Sequence, residues 1–176
     1  QDFRSVFAIT PGAIMLLLIL IPAMLTAVGV VREKEMGSIT NVYASPATVG
    51  EYLIGKQLPY IAIGFVSFAS LVLLAGALFG VVAKGSLIGL SLAALMYVFA
   101  ATAFGLLISA FVSTQVAAIF ATAVLTVIPT AHYSGFLYPA STLEGLARAM
   151  GVGFPAFWFQ TVSLGVFAKG LDADAF

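Results

Sequence analysis

The sequence predicts an all-α integral membrane protein, a polytopic helical bundle of about four spans with short re-entrant helices. Hydrophobic residues make up 62% of its 176 residues and charged residues only 8%, whereas a soluble domain is usually about 25% charged. No charged residue occurs between Gly12 and Val31, or between Lys84 and Glu144. Because a charge at the centre of a bilayer is costly, such runs are typical of membrane-spanning helices.

The four predicted spans are residues 11–31, 58–82, 87–111 and 116–131. A bilayer core of about 30 Å needs about 20 helical residues, so the fourth span is short. Thr10 and Pro11 suit the N-cap and the first turn of the first span. Pro22 lies within that span and predicts a kink.

Residues 133–160 are rich in glycine and proline and contain no apolar run long enough to span. They fit short or re-entrant helices shielded from lipid by protein, because irregular backbone at membrane depth must be shielded. They fit an ordinary extramembrane loop equally well.

Small residues recur at helical spacing in the predicted spans. Ala101, Gly105, Ser109 and Ser113 are four residues apart in the third span, and Gly76 and Gly80 are four apart in the second. Small residues let helix backbones approach closely in lipid, so this spacing predicts tight helix packing. Threonines at positions 122, 126 and 130 could line a polar path, although bonding to carbonyls of the preceding turn is their commoner role.

Residues 32–57 form a polar segment between the first two spans. Arg32 to Glu35 carry alternating charges, so the first helix is predicted to continue into water. Pro46 predicts a break, and Thr48 with Glu51 fits a capping box that starts a short helix at the membrane surface. Such an element can receive force from a soluble partner; a solvated helix end that only anchors the span is the plainer alternative.

Composition and missing motifs narrow the function further. Seven basic and seven acidic residues cancel, so nothing indicates a nucleic-acid partner, and the absence of cysteine excludes disulfides and thiolate metal sites. The sequence contains no HExxH, GxSxG or Walker A motif. It therefore predicts no catalytic, metal or cofactor site in this chain.

Two motifs resemble those of a known family. Val31-Arg-Glu-Lys-Glu-Met-Gly-Ser-Ile39, followed by Ser45-Pro46 and Gly55-Lys56, resembles the hallmark of type 2 ABC exporter permeases, the ABC-2 family. Tyr133-Ser-Gly-Phe-Leu-Tyr-Pro139 resembles the family's second signature, which follows its fifth membrane helix.

Further residues indicate a branch of that family. Asn41-Val-Tyr43 and Gly55-Lys-Gln-Leu-Pro-Tyr-Ile61 are most similar to the permease part of the ribosome-associated ATPase branch. Phe154-Pro-Ala-Phe-Trp158 departs from the family, which more often has Asn-Pro there.

The resemblance implies that residues 1–176 are a single partial transmembrane domain, a fragment of a six-helix ABC-2 domain, with the spans similar to its second to fifth helices. Residues 1–10 would be the tail of an extracytoplasmic domain, 32–57 the cytoplasmic coupling segment and 133–160 extracytoplasmic re-entrant helices. The implied ATPase-coupling residues are Arg32, Glu33, Lys34, Glu35, Gly37, Pro46, Glu51, Tyr52 and Lys56. The implied extracytoplasmic gate consists of Tyr133, Ser134, Gly135, Phe136 and Pro139.

By the same resemblance, the protein would be the permease part of an ATP-driven exporter, multi-pass in the inner membrane. Its implied partners are ABC ATPase domains, fused or separate, which would bind ATP and Mg²⁺; membrane lipid; and a second permease domain. The branch adds ribosome association of the full-length protein. An ion-coupled secondary transporter remains an alternative, although such carriers usually need a midplane Asp, Glu or His. A membrane scaffold that only anchors a soluble machine is the second alternative.

Overall fold

A computed structural model of the protein describes residues 3–38, 40–41, 44–80, 85–134 and 145–169. Its helices are α1 (Phe3–Glu35), α2 (Val49–Phe79), α3 (Leu87–Phe111), α4 (Gln115–Tyr133), α5 (Gly145–Gly153) and α6 (Pro155–Leu164), followed by a π-helical turn, Gly165–Lys169. Within these ranges, α1 to α4 are long and apolar enough to cross a membrane. No strand occurs in the described residues, and the predicted all-α membrane fold is confirmed.

The first two spanning helices differ from the prediction at their starts. Helix α1 begins at Phe3, so Thr10 and Pro11 lie inside it, and the predicted cap at Thr10 is wrong. Residues 3–10 are therefore helical and continuous with the first span, while residues 1 and 2 lie outside the described part. Helix α2 begins at Val49 and runs unbroken to Phe79, so the separate surface helix expected after Thr48 is instead the first turns of α2.

The later elements lie closer to the prediction. Helix α3 has the bounds of the predicted third span, and α4 extends the fourth to 19 residues. Residues 81–82, at the end of the predicted second span, lie outside the described part. Within residues 133–160, α5 is a short helix and α6 begins at Pro155. Residues 135–144 lie outside the described part.

Helix α1 is the centre of the bundle. It packs against α2, α3, α4 and α6. Met15, Leu18 and Ile19 of α1 are fully or almost fully buried, in one apolar core with Leu90 and Val98 of α3. Helix α1 therefore contacts each of the other three spanning helices.

The small face of α3 packs tightly on α1. Ala101, Gly105 and Ser109 are buried, as the spacing predicted, whereas Ser113 is exposed. A Cβ atom added to Gly105 would overlap the carbonyl oxygen of Ala23 and would lie 2.9 Å from the Cβ atom of Thr26. A glycine at position 105 therefore permits backbone contact between the two helices.

The second predicted pair of small residues has a different environment. A Cβ atom on Gly76 would meet no described atom within 4 Å, and the same holds for Gly80. Gly80 ends α2 in a left-handed conformation with φ 63°. It thus serves as a helix terminator, and no packing partner for the pair occurs within the described residues.

The threonines of α4 lie on its buried face, with Ala118. The hydroxyl of Thr126 donates to the carbonyl of Thr122 at 2.7 Å. On α1, the hydroxyl of Thr26 donates to the carbonyl of Pro22, also at 2.7 Å. Both bonds are the intrahelical type that satisfies a buried hydroxyl in an apolar bundle.

Candidate coupling site

The side chain of Glu33 links the end of α1 to the start of α2. Its Oε2 atom accepts a hydrogen bond from the hydroxyl of Tyr52 at 3.0 Å, and its Oε1 atom pairs with the ammonium of Lys56. Tyr52 and Lys56 are four residues apart, so they share one face of α2. The side chains of Glu33 and Lys56 are 29% and 25% exposed, so this pair is screened less than one fully in water.

Lys34 and Glu35 connect α1 to the turn between α3 and α4, residues 112–114. The ammonium of Lys34 donates to the backbone carbonyl of Ser109, in the last turn of α3. Glu35 accepts the backbone N–H of Gln115, the first residue of α4, at 2.9 Å, and also the side-chain amide of Gln115. A helix C-terminus attracts a cation and an N-terminus an anion, so the order of these two charges matches the two helix ends.

The hydrogen bonds also affect ionisation in the polar segment. Bonds donated by the side chain and backbone of Gln115 lower the pKa of the Glu35 carboxyl. Bonds donated by the backbone and hydroxyl of Thr48 lower the pKa of the Glu51 carboxyl. Both groups are therefore ionised at neutral pH, which keeps them as hydrogen-bond acceptors.

Local sequence determines how α1 ends and α2 starts. After α1, Gly37 adopts a left-handed conformation with φ 70°, and its N–H donates to the carbonyl of Lys34 at 3.1 Å. Pro46 lies in a bend of the loop. The hydroxyl of Thr48 accepts from the N–H of Glu51 at 3.3 Å, and the carboxylate of Glu51 accepts from the N–H of Thr48 at 2.7 Å. The predicted capping box is confirmed.

Another group of side chains in the polar segment remains exposed. The Arg32 side chain is exposed, and its guanidinium has no hydrogen-bond partner among the described residues. Met36, Val49 and Ile54 are exposed by 69%, 75% and 59%, although they are apolar. All four residues belong to the polar segment, residues 32–57, between the first two spans. We call these four residues the exposed group.

The opposite end of α4 contains the described part of the predicted gate. Tyr133 is the last residue of α4, and Ser134 is buried and caps it, with its N–H donating to the carbonyl of Thr130 at 3.2 Å. The other predicted gate residues, Gly135, Phe136 and Pro139, lie outside the described residues.

A groove of about 500 Å³ lies between α3 and α4 and reaches Tyr133. Its other described lining side chains are apolar and include Phe104, Leu107, Ala121, Leu125, Met150 and Phe154. The rings of Phe104 and Phe154 meet edge to face, with centroids 5.5 Å apart. The groove is thus an apolar cleft that α5 and the start of α6 flank near its Tyr133 end.

Comparison with known proteins identifies the family. Residues 1–170 match the family described as ABC-2 family transporter protein. The chain belongs to the ABC-2 transporter family. Over 162 residues, this ABC-2 chain is 28% identical to the "Probable multidrug ABC transporter permease YbhS" of Escherichia coli strain K12, and a protein of that name in Escherichia coli O157:H7 gives the same values.

These matches cover 92% of the ABC-2 chain and 43% of each relative, so the chain spans less than half the length of the curated relatives it matches. No solved structure matches it. The resemblance inferred from the two motifs is confirmed at the level of the family, and so is a multi-pass protein of the inner membrane. The ribosome-associated branch stays a prediction.

Sequence reasoning missed two residues of this ABC-2 site, Ser109 and Gln115. The structure brings them to the end of α1, although they lie 75 and 80 positions from their partners. One signal could have found the neighbourhood. Spans that alternate in direction place the α3–α4 turn on the same side of the membrane as the polar segment.

Proposed function

We propose that this ABC-2 chain is the permease part of an ATP-driven exporter, in which ABC ATPase domains act on the polar segment. The contacts of Glu33, Lys34 and Glu35 support this function most directly, because they join the polar segment to α2, α3 and α4. The runs from Gly12 to Val31 and from Lys84 to Glu144 carry no charge, so they offer no carboxylate for ion coupling. The free energy for transport would then come from hydrolysis of ATP, which the ATPase would bind together with Mg²⁺.

We infer two roles among the residues of the polar segment, including four of the predicted coupling residues. Glu33, Lys34 and Glu35 are engaged within the chain, so they would transmit movement rather than bind the ATPase. Arg32 and the apolar members of the exposed group are available to a soluble partner. An exposed cation and exposed apolar side chains in one polar segment suit an ATPase surface that offers both acidic and apolar groups.

Arg32→Glu combined with Ile54→Asp is expected to weaken ATPase binding about tenfold, because both changes oppose an acidic and apolar partner surface. Glu33→Ala combined with Glu35→Ala should leave ATPase binding intact and lower the efflux of an amphipathic fluorescent dye per ATP hydrolysed. Co-purification of the ATPase with the full-length permease, and ATP-driven dye transport into inverted vesicles (equivalent to efflux from the cell), measure the two effects.

Gly50→Ala is the matched control in the polar segment, because a Cβ atom there meets no described atom within 4 Å. It should bind the ATPase and transport like the unaltered protein. ATPase binding and dye efflux that are unchanged in both double variants would falsify the proposed coupling.

The groove between α3 and α4 supports an apolar or amphipathic substrate. Its volume of about 500 Å³ lies within the range of roughly 300–1,000 Å³ that is usual for small-molecule sites. Apart from the hydroxyl of Tyr133, its described lining offers no polar side chain. The relatives are named as multidrug permeases, which agrees with a substrate of this kind.

Ala121→Trp is expected to reduce dye efflux severalfold, because the indole would fill the groove that Ala121 lines. Ala117→Trp is the matched control: Ala117 lies one turn earlier on α4, is exposed and does not line the groove. ATP-driven dye transport into inverted vesicles that contain equal amounts of each variant measures the effect. Equal losses in the two variants would show that the groove does not bind the dye.

The other partners remain part of the proposal. A second permease domain, membrane lipid and a ribosome that binds the full-length protein follow only from the family and the branch. No described contact bears on them.

A further inference from the structure

We propose that Gln115 is a positioning residue that passes movement of the polar segment to α4. The inference rests on the proposed function and names a residue in the α3–α4 connection as a determinant of coupling. Gln115 meets Glu35 twice, through its backbone N–H at 2.9 Å and through its side-chain amide. Displacement of the α1 end is thereby applied to the first residue of α4.

The contact is not needed to cap α4. Thr114 already does so, because its hydroxyl accepts the N–H of Ala117 at 3.2 Å. Glu35 accepts a different N–H of the helix start, that of Gln115, and it does so from another helix. The Glu35–Gln115 contact therefore connects two helices in addition to satisfying that N–H.

Helix α4 is suited to carry a displacement across the membrane. Its 19 residues form one unbroken helix, about 28 Å long at 1.5 Å per residue. It ends at Tyr133, which lines the apolar groove and belongs to the predicted gate. Lys34 binds the carbonyl of Ser109, so the other side of the turn is held to α1 as well. The turn and the end of α1 should then move together.

The variant Gln115→Glu tests the positioning role of Gln115 without preventing α4 from forming. A carboxylate at the first position of a helix is compatible with the helix dipole, so α4 should form normally. The same carboxylate faces Glu35, however, and like charges replace the donor and acceptor. Glu35→Gln combined with Gln115→Glu restores one donor and one acceptor with the positions exchanged. Ser113→Ala, on the same turn and exposed, is the control.

The test uses the full-length permease with its ATPase in vesicles. Spin labels on cysteines at Gly50 and Val116 report the separation of the polar segment from α4, and labels at Gly50 and Val152 report movement relative to α5. All three positions are exposed. We expect ATP to change the second separation but not the first in the unaltered protein.

In Gln115→Glu, ATP should change the first separation, and dye efflux per ATP should fall about threefold without a loss of thermal stability. The exchanged pair should recover both properties, and Ser113→Ala should match the unaltered protein. A Gln115→Glu variant with unaltered efflux and label separations, or an exchanged pair that recovers neither, overturns this inference alone. If ATP changes no separation and drives no efflux in the unaltered protein, the proposed function fails, and the inference fails with it.

Discussion

Gly105→Ala is expected to lower the free energy of unfolding by about 3 kcal/mol, near the upper end for an added methyl group in a packed interior. The new Cβ atom would overlap the carbonyl oxygen of Ala23 and approach the Cβ atom of Thr26 at 2.9 Å. Backbone atoms of a buried helix cannot move aside as the end of a flexible side chain can. Helices α1 and α3 would have to separate, and the loss would extend along their shared face.

Denaturant titration of the purified permease measures this loss, and Gly76→Ala is its matched control. Both glycines are helical, but a methyl group on Gly76 meets no described atom within 4 Å. There the greater helix propensity of alanine should raise the free energy of unfolding by roughly 0.5–1 kcal/mol. Opposite signs for the two variants are expected, and similar values would contradict the close approach of α1 to α3.

Exchange of the adjacent charges, Lys34→Glu with Glu35→Lys, is expected to cause the largest loss of coupled transport, roughly tenfold in dye efflux per ATP. Net charge and composition stay the same, but an anion now faces the C-terminus of α3 and a cation the N-terminus of α4. Both contacts with Ser109 and Gln115 become unfavourable. Faster hydrogen exchange at residues 112–118 should accompany the loss.

Lys34→Arg combined with Glu35→Asp separates charge order from side-chain identity. The signs remain in place, so exchange and efflux should stay close to those of the unaltered protein. If this variant and the exchanged pair behaved alike, the match between the two charges and the two helix ends would not explain the contacts.

Sequence patterns predicted those features of the helices that neighbouring residues determine. The bounds of α3 follow from a charge-free run between two turns, and the capping box of Thr48 and Glu51 spans only three residues. The continuity of α2 was missed because Gly55 and Pro59 both disfavour a helix interior, and part of what offsets that cost comes from another helix. Glu33, from the preceding helix, contributes to that offset by holding Tyr52 and Lys56.

The candidate site was predicted only in part, because some of its contacts join residues that are far apart in the sequence. The motif drew attention to Glu33, Lys34 and Glu35, but alternating charges in a sequence do not reveal their partners. Ser109 and Gln115 are ordinary polar residues at a turn, and only the packing of α1 on α3 and α4 brings them to these charges. A contact across 75 or more positions has no local signature.

The two fixed points on α1 also limit how its length can vary. Ala23 lies against Gly105 and Lys34 reaches Ser109, so the ten residues between Ala23 and Lys34 must keep one rotational phase. One inserted residue would turn the charged end by about 100° and advance it by about 1.5 Å, which would direct Lys34 and Glu35 away from the α3–α4 turn. Evolutionary insertions and deletions should therefore be absent from this stretch and be tolerated at residues 44–47, in the loop before α2.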